Sequence, residues 1–252
     1  MYIVTMSEIA IIIQARCGSK RLPNKMILPF FEDKSILEII INRLSKKYKT
    51  VLATTESTID DALCEIANSL NVKVFRGSED NVLERFINTA KAHGIDTIVR
   101  VCADNPFINI DLIDKLLGLY NGEDYCSFKY LDGKPTILGH LGLFCEITKL
   151  STLIKVNTLT IENLYREHVT NYIYLNPKAF NIKLFDFPLQ IPKYDGVRLT
   201  VDTKQDFEII KGLYKKFGAC QNVFELETMI NYVSSNNVLL SAMDVEIKKN
   251  SK

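Results

Sequence analysis

Short apolar runs alternate with amphipathic stretches along the first half of the chain. Glu8–Gln14 is apolar through its middle and predicts a buried strand. Ser35–Lys47 predicts a helix, with Ile36, Leu37, Ile40 and Leu44 on one face. Thr50–Thr54 predicts a second strand, and Ser57-Thr58-Ile59-Asp60 has the form of a capping box opening a helix that runs to about Leu70. Val72–Phe75 predicts a third strand. Asn81–His93 predicts a helix built on Leu83, Phe86, Ile87 and Ala90, with Gly94 as its stop. Thr97–Cys102 is a fourth strand and Asp111–Tyr120 a further helix. This βαβαβαβα rhythm predicts an α/β fold with a mostly parallel sheet and helices on both faces.

The second half is less regular. Its pattern predicts strands over Tyr125–Tyr130, Leu141–Cys145, Ile182–Phe187 and Val197–Val201. Helices are expected over Arg166–Tyr174, Lys204–Phe217 and Phe224–Ser234. No linker, repeat or low-complexity block interrupts the chain. One domain over residues 1–252 is therefore expected, with an inserted or appended subregion and flexible ends at 1–7 and 244–252, where the tail EIKKNSK should fray.

Composition narrows the function classes. A net charge of +1 over 252 residues argues against a nucleic-acid binder, which is usually basic over a whole face. No apolar run reaches 18 residues, so no membrane span is expected. The start MYIVTMSEIA lacks the basic and apolar regions of a signal peptide. The six cysteines form no Cys-x-x-Cys and predict free thiols in a reducing cytoplasm.

Against this neutral background one loop stands apart. Arg16, Lys20, Arg21 and Lys25 follow the first strand, and no Asp or Glu occurs between Ile9 and Phe31. In open parallel sheets ligands bind beyond the carboxyl ends of strands, which is where this loop begins. Ala15 and Gly18 are small enough for backbone N–H groups to approach a ligand, Ser19 adds a hydroxyl, and Pro23 stiffens the exit. The focused positive potential suits a polyphosphate. Neither a Walker loop nor a Gly-x-Gly-x-x-Gly is present, which argues against P-loop, nicotinamide and flavin enzymes.

Two aspartates end strands: Asp104 in RVCADNPFI and Asp202 in GVRLTVDTKQDFEII. Each has a structural reading, Asp104 as a cap of the Asn105-Pro106 turn and Asp202 as the N-cap of the helix near Lys204. Each also has a functional one, since carboxylates beside a phosphate loop are what Mg²⁺ needs. No Asp-x-Asp occurs, which disfavours a metal-dependent user of sugar nucleotides and favours a maker of them.

Six segments in order, IIIQARCGSKRLPNK, VFRGSEDNVLERF, ADNPFI, GHLGLF, REHVTNYIYLNP and RLTVDTKQDFEII, resemble the sugar-acid cytidylyltransferases. These include the CMP-Kdo and CMP-sialate synthetases, and the set is most similar to the spore-coat polysaccharide branch. The resemblance spans about residues 8–217. It implies a Rossmann-like nucleotidyltransferase fold, usually dimeric, with CTP and Mg²⁺ as partners and a small dimerisation subregion. By position, Arg16 and Lys25 would hold the triphosphate with help from Ser19, and Asp104 and Asp202 would hold the metal. Arg76-Gly77-Ser78 would lie near the nucleotide or the acceptor. Cys17 stands at a variable position before the loop glycine, and ADNP replaces the GDEP-like turn of the Kdo enzymes. Some relatives in the branch use GTP and sugar 1-phosphates.

On the acceptor side, Asn105, His140 and His168 are candidates for hydrogen bonds to a sugar, or one histidine for removing an acceptor proton. Arg166 and Arg198 are candidates for an acceptor carboxylate or phosphate, or for internal salt bridges. The leading expectation is CMP transfer from CTP to a sugar acid. The alternatives are another nucleotidyltransferase acting on a sugar 1-phosphate, and a non-catalytic nucleotide-sugar binder.

Overall fold

The computed structural model describes residues 8–189 and 194–250. The expected flexible start at 1–7 lies outside the described residues. Strands β1 (Ile9–Gln14), β4 (Thr50–Thr55), β5 (Lys73–Gly77) and β6 (Thr97–Cys102) alternate with helices α1 (Ile36–Leu44), α2 (Asp61–Ser69), α3 (Val82–Ala92) and α4 (Ile110–Leu119). The apolar periodicity of the first half therefore translates directly into a parallel βα frame. Between β1 and α1 lies a small hairpin, β2 (Pro29–Phe31) and β3 (Lys34–Ser35), which the sequence pattern did not announce.

Among the described residues the main sheet has seven strands in the order β5-β4-β1-β6-β8-β7-β9, where β7 is Tyr125–Lys129, β8 Glu146–Lys149 and β9 Ile182–Asp186. Only β8 runs against its neighbours. The chain winds from β1 out to β4 and β5, then returns to place β6 on the other side of β1. That reversal opens a crevice between the carboxyl ends of β1 and β6, the place where such sheets receive ligands.

Alternate residues of the strands feed two cores. Ile11, Ile13, Val99 and Val101 pack with α1, α2, α4 and α8 (Lys204–Phe217). Ala10, Ile12 and Ile98 pack with α3, α5 (Leu150–Leu159) and α7 (Asn171–Leu175). Burial on both faces explains why β1 is apolar without alternation. Two helices, α9 (Val223–Ser234) and α10 (Asn237–Asn250), complete the chain.

Several expectations are corrected. Leu141–Cys145 is not a strand; pairing begins at Glu146, because Gly142 has φ +58°, outside any strand geometry. Val197–Val201 is extended and buried but joins no ladder: Leu199 N–H donates to His140 O and Val201 N–H to Asp104 O, two single bonds to two segments. The expected helix over Arg166–Tyr174 is two short helices, α6 (Asn163–Glu167) and α7, broken at His168. Helix α5 and helix α10 were not expected; α10 carries the tail to Asn250, so Glu246 is buried rather than frayed. Ser57 makes no side-chain cap, because Asp60 turns inward. All six cysteines are free thiols. No helix among the described residues is long and apolar enough to cross a membrane.

Candidate active site

The basic loop leaves β1 at the crevice, and buried Asp60 anchors it. The carboxylate of Asp60 accepts the Cys17 N–H at 2.7 Å, the Thr54 hydroxyl at 2.9 Å and the Thr55 N–H at 3.2 Å, as well as the Thr55 hydroxyl. Burial alone would raise the Asp60 carboxyl, but these donors outweigh it and hold the group below its ordinary range. The expectation that loop amides would be open to a ligand needs correction for three of them. Ala15 N–H donates to Ala53 O at 3.4 Å, Cys17 N–H to Asp60, and Ser19 N–H to Cys17 O at 2.8 Å. The Ser19 hydroxyl accepts the Leu22 N–H, and its own proton stays available to donate.

Three of the four cations of this loop, Arg16, Arg21 and Lys25, find acids brought from far along the chain. Arg16 pairs with Glu79 at 3.4 Å, and a Cβ on Gly18 would lie 3.1 Å from the same carboxylate. Arg21 pairs with Asp202 at 2.6 Å. Lys25 is buried; its ammonium donates to Val201 O at 2.6 Å and lies 3.3 Å from Asp202 and 3.7 Å from Asp104. Asp104 and Asp202 thus meet around one cation, at the carboxyl end of β6.

The structural readings of these two aspartates fail. Thr203, not Asp202, caps α8, with Asp206 completing a capping box. Asp104 faces Lys25 across the crevice, and the Asn105 turn is closed by backbone bonds to Cys102 and from Ile108. Burial and the like charge of Asp202 push the Asp104 carboxyl up, against Lys25. Burial also acts to raise Asp202, but Lys25, Arg21 and Arg198 overcome it and leave that carboxyl below its ordinary range.

These two groups fit a hard divalent cation. Both are oxygen donors, both reach the point now held by an ammonium, and Asp104 is short of positive charge. Among the described residues no cluster of three or more potential ligands forms, so no all-protein cage exists. Mg²⁺ does not need one, since it keeps waters and binds substrate phosphates through its remaining positions.

Arg198 and His140 join the same cluster. The guanidinium donates to Asp202 at 2.8 Å, to both oxygens of Asp206 at 2.8 and 3.0 Å, and to His140 Nδ1 at 2.8 Å. Burial, and then Arg198, keep the His140 ring below its ordinary pKa. Asn105 is buried beside Gly142, with its Oδ1 left without a partner.

Other candidates stand elsewhere. Gly77 ends β5, packed between the Phe75 ring and Arg85. The Ser78 hydroxyl accepts the Asn81 N–H at 3.0 Å, and Ser78 O accepts Arg85. Arg76 is tied to Thr55 O, Asp61 and Ser57 O. Arg166 lies on α6 and His168 ends it; α6 packs on α3 rather than beside the two aspartates. The residues missed in the sequence are Glu79, Asp60 and Asp206. The Asp206 position was legible, because Thr203-x-x-Asp206 is a capping-box spacing.

Comparison with known proteins decides the family. A sequence profile of the cytidylyltransferases matches residues 10–241. The chain belongs to the cytidylyltransferase family. It is similar to the spore coat polysaccharide biosynthesis protein SpsF of Bacillus subtilis, 35% identical over 240 residues, 90% of this chain and 95% of that protein. A cytidylyltransferase structure from Leptospira borgpetersenii superposes with TM-score 0.78 at 31% identity, covering 93% of this chain and 97% of that one. A CMP-Kdo synthetase complexed with CTP superposes with TM-score 0.61 at 15% identity, covering 83% and 99%; at that identity it shows the shared fold.

Proposed function

We propose that this cytidylyltransferase joins CMP from CTP to a sugar acid, with release of pyrophosphate, for a surface polysaccharide. The observation that carries this reading is the meeting of Asp104 and Asp202 around Lys25, beside the cation-rich loop. SpsF, a polysaccharide biosynthesis protein, and the CTP-bound synthetase support the substrate classes.

In this reading Asp104 and Asp202 hold Mg²⁺, which supplies charge neutralisation at the phosphates. Arg16, Ser19 and Lys25 bind the triphosphate, with Gly18 leaving room for it. The acceptor hydroxyl oxygen forms the bond to the α-phosphorus and gives up its proton to solvent, while the bond from that phosphorus to the oxygen bridging to the β-phosphate breaks and its electron pair leaves with pyrophosphate. Arg16 and Lys25 stabilise the charge that grows on the departing oxygens. Gly77 and Ser78, which lead into the Glu79 that meets Arg16, border the nucleotide, while Asn105, with its buried Oδ1 unpartnered, serves the acceptor.

The protein acts as a cytoplasmic homodimer. Free thiols suit a reducing compartment. The apolar side chains of Leu159, Ile161, Leu164 and Leu175 are exposed by 49, 78, 50 and 56%, in the less regular second half between GHLGLF and YLNP, where we place the dimer contact. Light scattering should give twice the chain mass of 28.7 kDa. The function is tested by a pyrophosphate-release screen of the four NTPs against sugar acids and sugar phosphates. Release with CTP and a sugar acid is expected. Release only with GTP and a sugar 1-phosphate would reassign the substrates, and no release with any pair would defeat the reading.

A further inference from the structure

Arg198 is 2% exposed and Asp206 3%, yet neither is accounted for by metal or phosphate binding. Asp206 accepts four bonds: Arg198 Nε at 2.8 Å, Arg198 NH2 at 3.0 Å, and the Asp202 and Thr203 N–H groups at 2.9 Å each. Arg198 NH2 also donates to Asp202 Oδ2 at 2.8 Å. Asp202 is therefore gripped twice, at its backbone by Asp206 and at one carboxylate oxygen by Arg198. Its other oxygen, Oδ1, faces the cations of the loop, accepting from Arg21 at 2.6 Å and from Lys25 at 3.3 Å, and through Lys25 it meets Asp104.

His140 closes the far side. A guanidinium only donates, so Nδ1, 2.8 Å from Arg198 NH1, is the acceptor and the ring proton sits on Nε2. A ring in that state has no free lone pair with which to remove an acceptor proton. Its backbone is held as well, by the Leu199 N–H to His140 O bond at 2.9 Å.

We propose that Asp206, Arg198 and His140 form a buried strut whose task is to set the Asp202 carboxylate, so that Oδ1 alone is presented to the metal. They are positioning residues; the proposal rests on the reading of Asp202 as a metal ligand. Partners of this kind behind a metal ligand typically change metal affinity or activity about 10–100-fold when removed.

The test is Mn²⁺ binding followed by electron paramagnetic resonance, with and without CTP, alongside turnover. His140→Leu removes an acceptor from Arg198 and should weaken Mn²⁺ binding about tenfold. His140→Asn places a carbonyl oxygen near the Nδ1 position and should restore most of that loss. Asp206→Asn should weaken Mn²⁺ at least as much as His140→Leu, with circular dichroism checking that it folds. Should it not fold, the two His140 variants decide alone. Wild-type Mn²⁺ affinity in His140→Leu would overturn the strut. So would equal loss of turnover in both His140 variants with unchanged Mn²⁺ binding, which would return His140 to the acceptor. If the wild-type protein binds no Mn²⁺ even with CTP, the metal reading of Asp202 falls first and takes the strut with it. Pyrophosphate release that fails while the Mn²⁺ pattern holds would defeat the proposed reaction and leave the strut standing.

Discussion

Asp104 and Asp202 are joined through Lys25 and through the backbone. The Lys25 ammonium lies 3.7 Å from one carboxylate and 3.3 Å from the other, and the Val201 N–H donates to Asp104 O at 2.9 Å. Two like charges at the end of a sheet are tolerated because a buried cation separates them. Replacing that cation by a divalent metal would leave the same geometry with more charge to share.

If both aspartates hold the metal, Asp104→Asn and Asp202→Asn should each lower kcat by roughly 10²–10³, the loss expected for a preorganised electrostatic group. Steady-state turnover at saturating Mg²⁺ measures this, and near-wild-type rates in either variant would remove that residue from the metal site. The two should part company in stability. Burial and Asp202 already disfavour the ionised form of Asp104. Asp104→Asn should therefore melt higher than wild type in EDTA at neutral pH, while Asp202→Asn, which deserts Arg198, should melt lower.

Lys25→Met should leave the carboxylates facing each other without a cation. Removing one partner of a buried charge group costs up to about 3–5 kcal/mol. Here that is a ceiling, since the Asp104 side chain keeps 31% exposure and solvent screens part of the repulsion. Differential scanning calorimetry should show a lower Tm in EDTA and substantial recovery in millimolar Mg²⁺. A wild-type Tm for Lys25→Met in EDTA would show that the carboxylates do not need a cation.

Acid should loosen the loop anchor. Burial raises Asp60, but its donors lower it further, and the folded-state pKa lies below the ordinary 3.8. A depressed carboxyl contributes stability that is complete above the ordinary value and is lost as pH falls through the folded one. Asp202 has the same sign, and Asp104 the opposite, gaining stability as pH falls. Urea titrations should show an acid limb below about pH 4 that is shallower in Asp60→Asn. At neutral pH that variant should be less stable by about 1.5–3 kcal/mol, the range for a hydrogen bond to a charged group.

Two glycines of GHLGLF are held by close approach. A Cβ on Gly139 would lie 2.2 Å from the Tyr130 hydroxyl, and one on Gly142 would lie 2.8 Å from Asn105 Oδ1 with φ at +58°. Gly139→Ala must move Tyr130 out of its stack on Tyr194, whose ring centroid is 5.2 Å away. Gly142→Ala adds about 1–2 kcal/mol of left-handed strain to its clash. Both should lower Tm by several degrees. Gly118→Ala, on a helix with nothing within 4 Å, should be neutral or stabilising by up to about 1 kcal/mol. Equal melting of all three would refute the packing account.

The βα frame and the order of the six motifs were legible because both are local. Helix and strand periods are written within a dozen residues, and each cytidylyltransferase segment is one continuous stretch of chain. The second half was harder for reasons that are not local. Leu141–Cys145 has strand-like apolar content, yet the left-handed Gly142 bars it from the ladder. Val197–Val201 looks like a strand but serves as a buried strap that brings Asp202 to Asp104.

By itself the sequence determined that a cluster of cations follows the first strand and that two aspartates close extended apolar runs. What surrounds them was decided only in three dimensions. The loop has no acid within its own stretch of chain, yet Glu79 comes to Arg16, Asp202 to Arg21 and Lys25, and Asp60 to the Cys17 amide. Hydrophobic periodicity is carried by near neighbours, so it can be read along the chain. Coulomb attraction and hydrogen bonding act through space, so the partner of a charge is set by which strand ends the fold brings together.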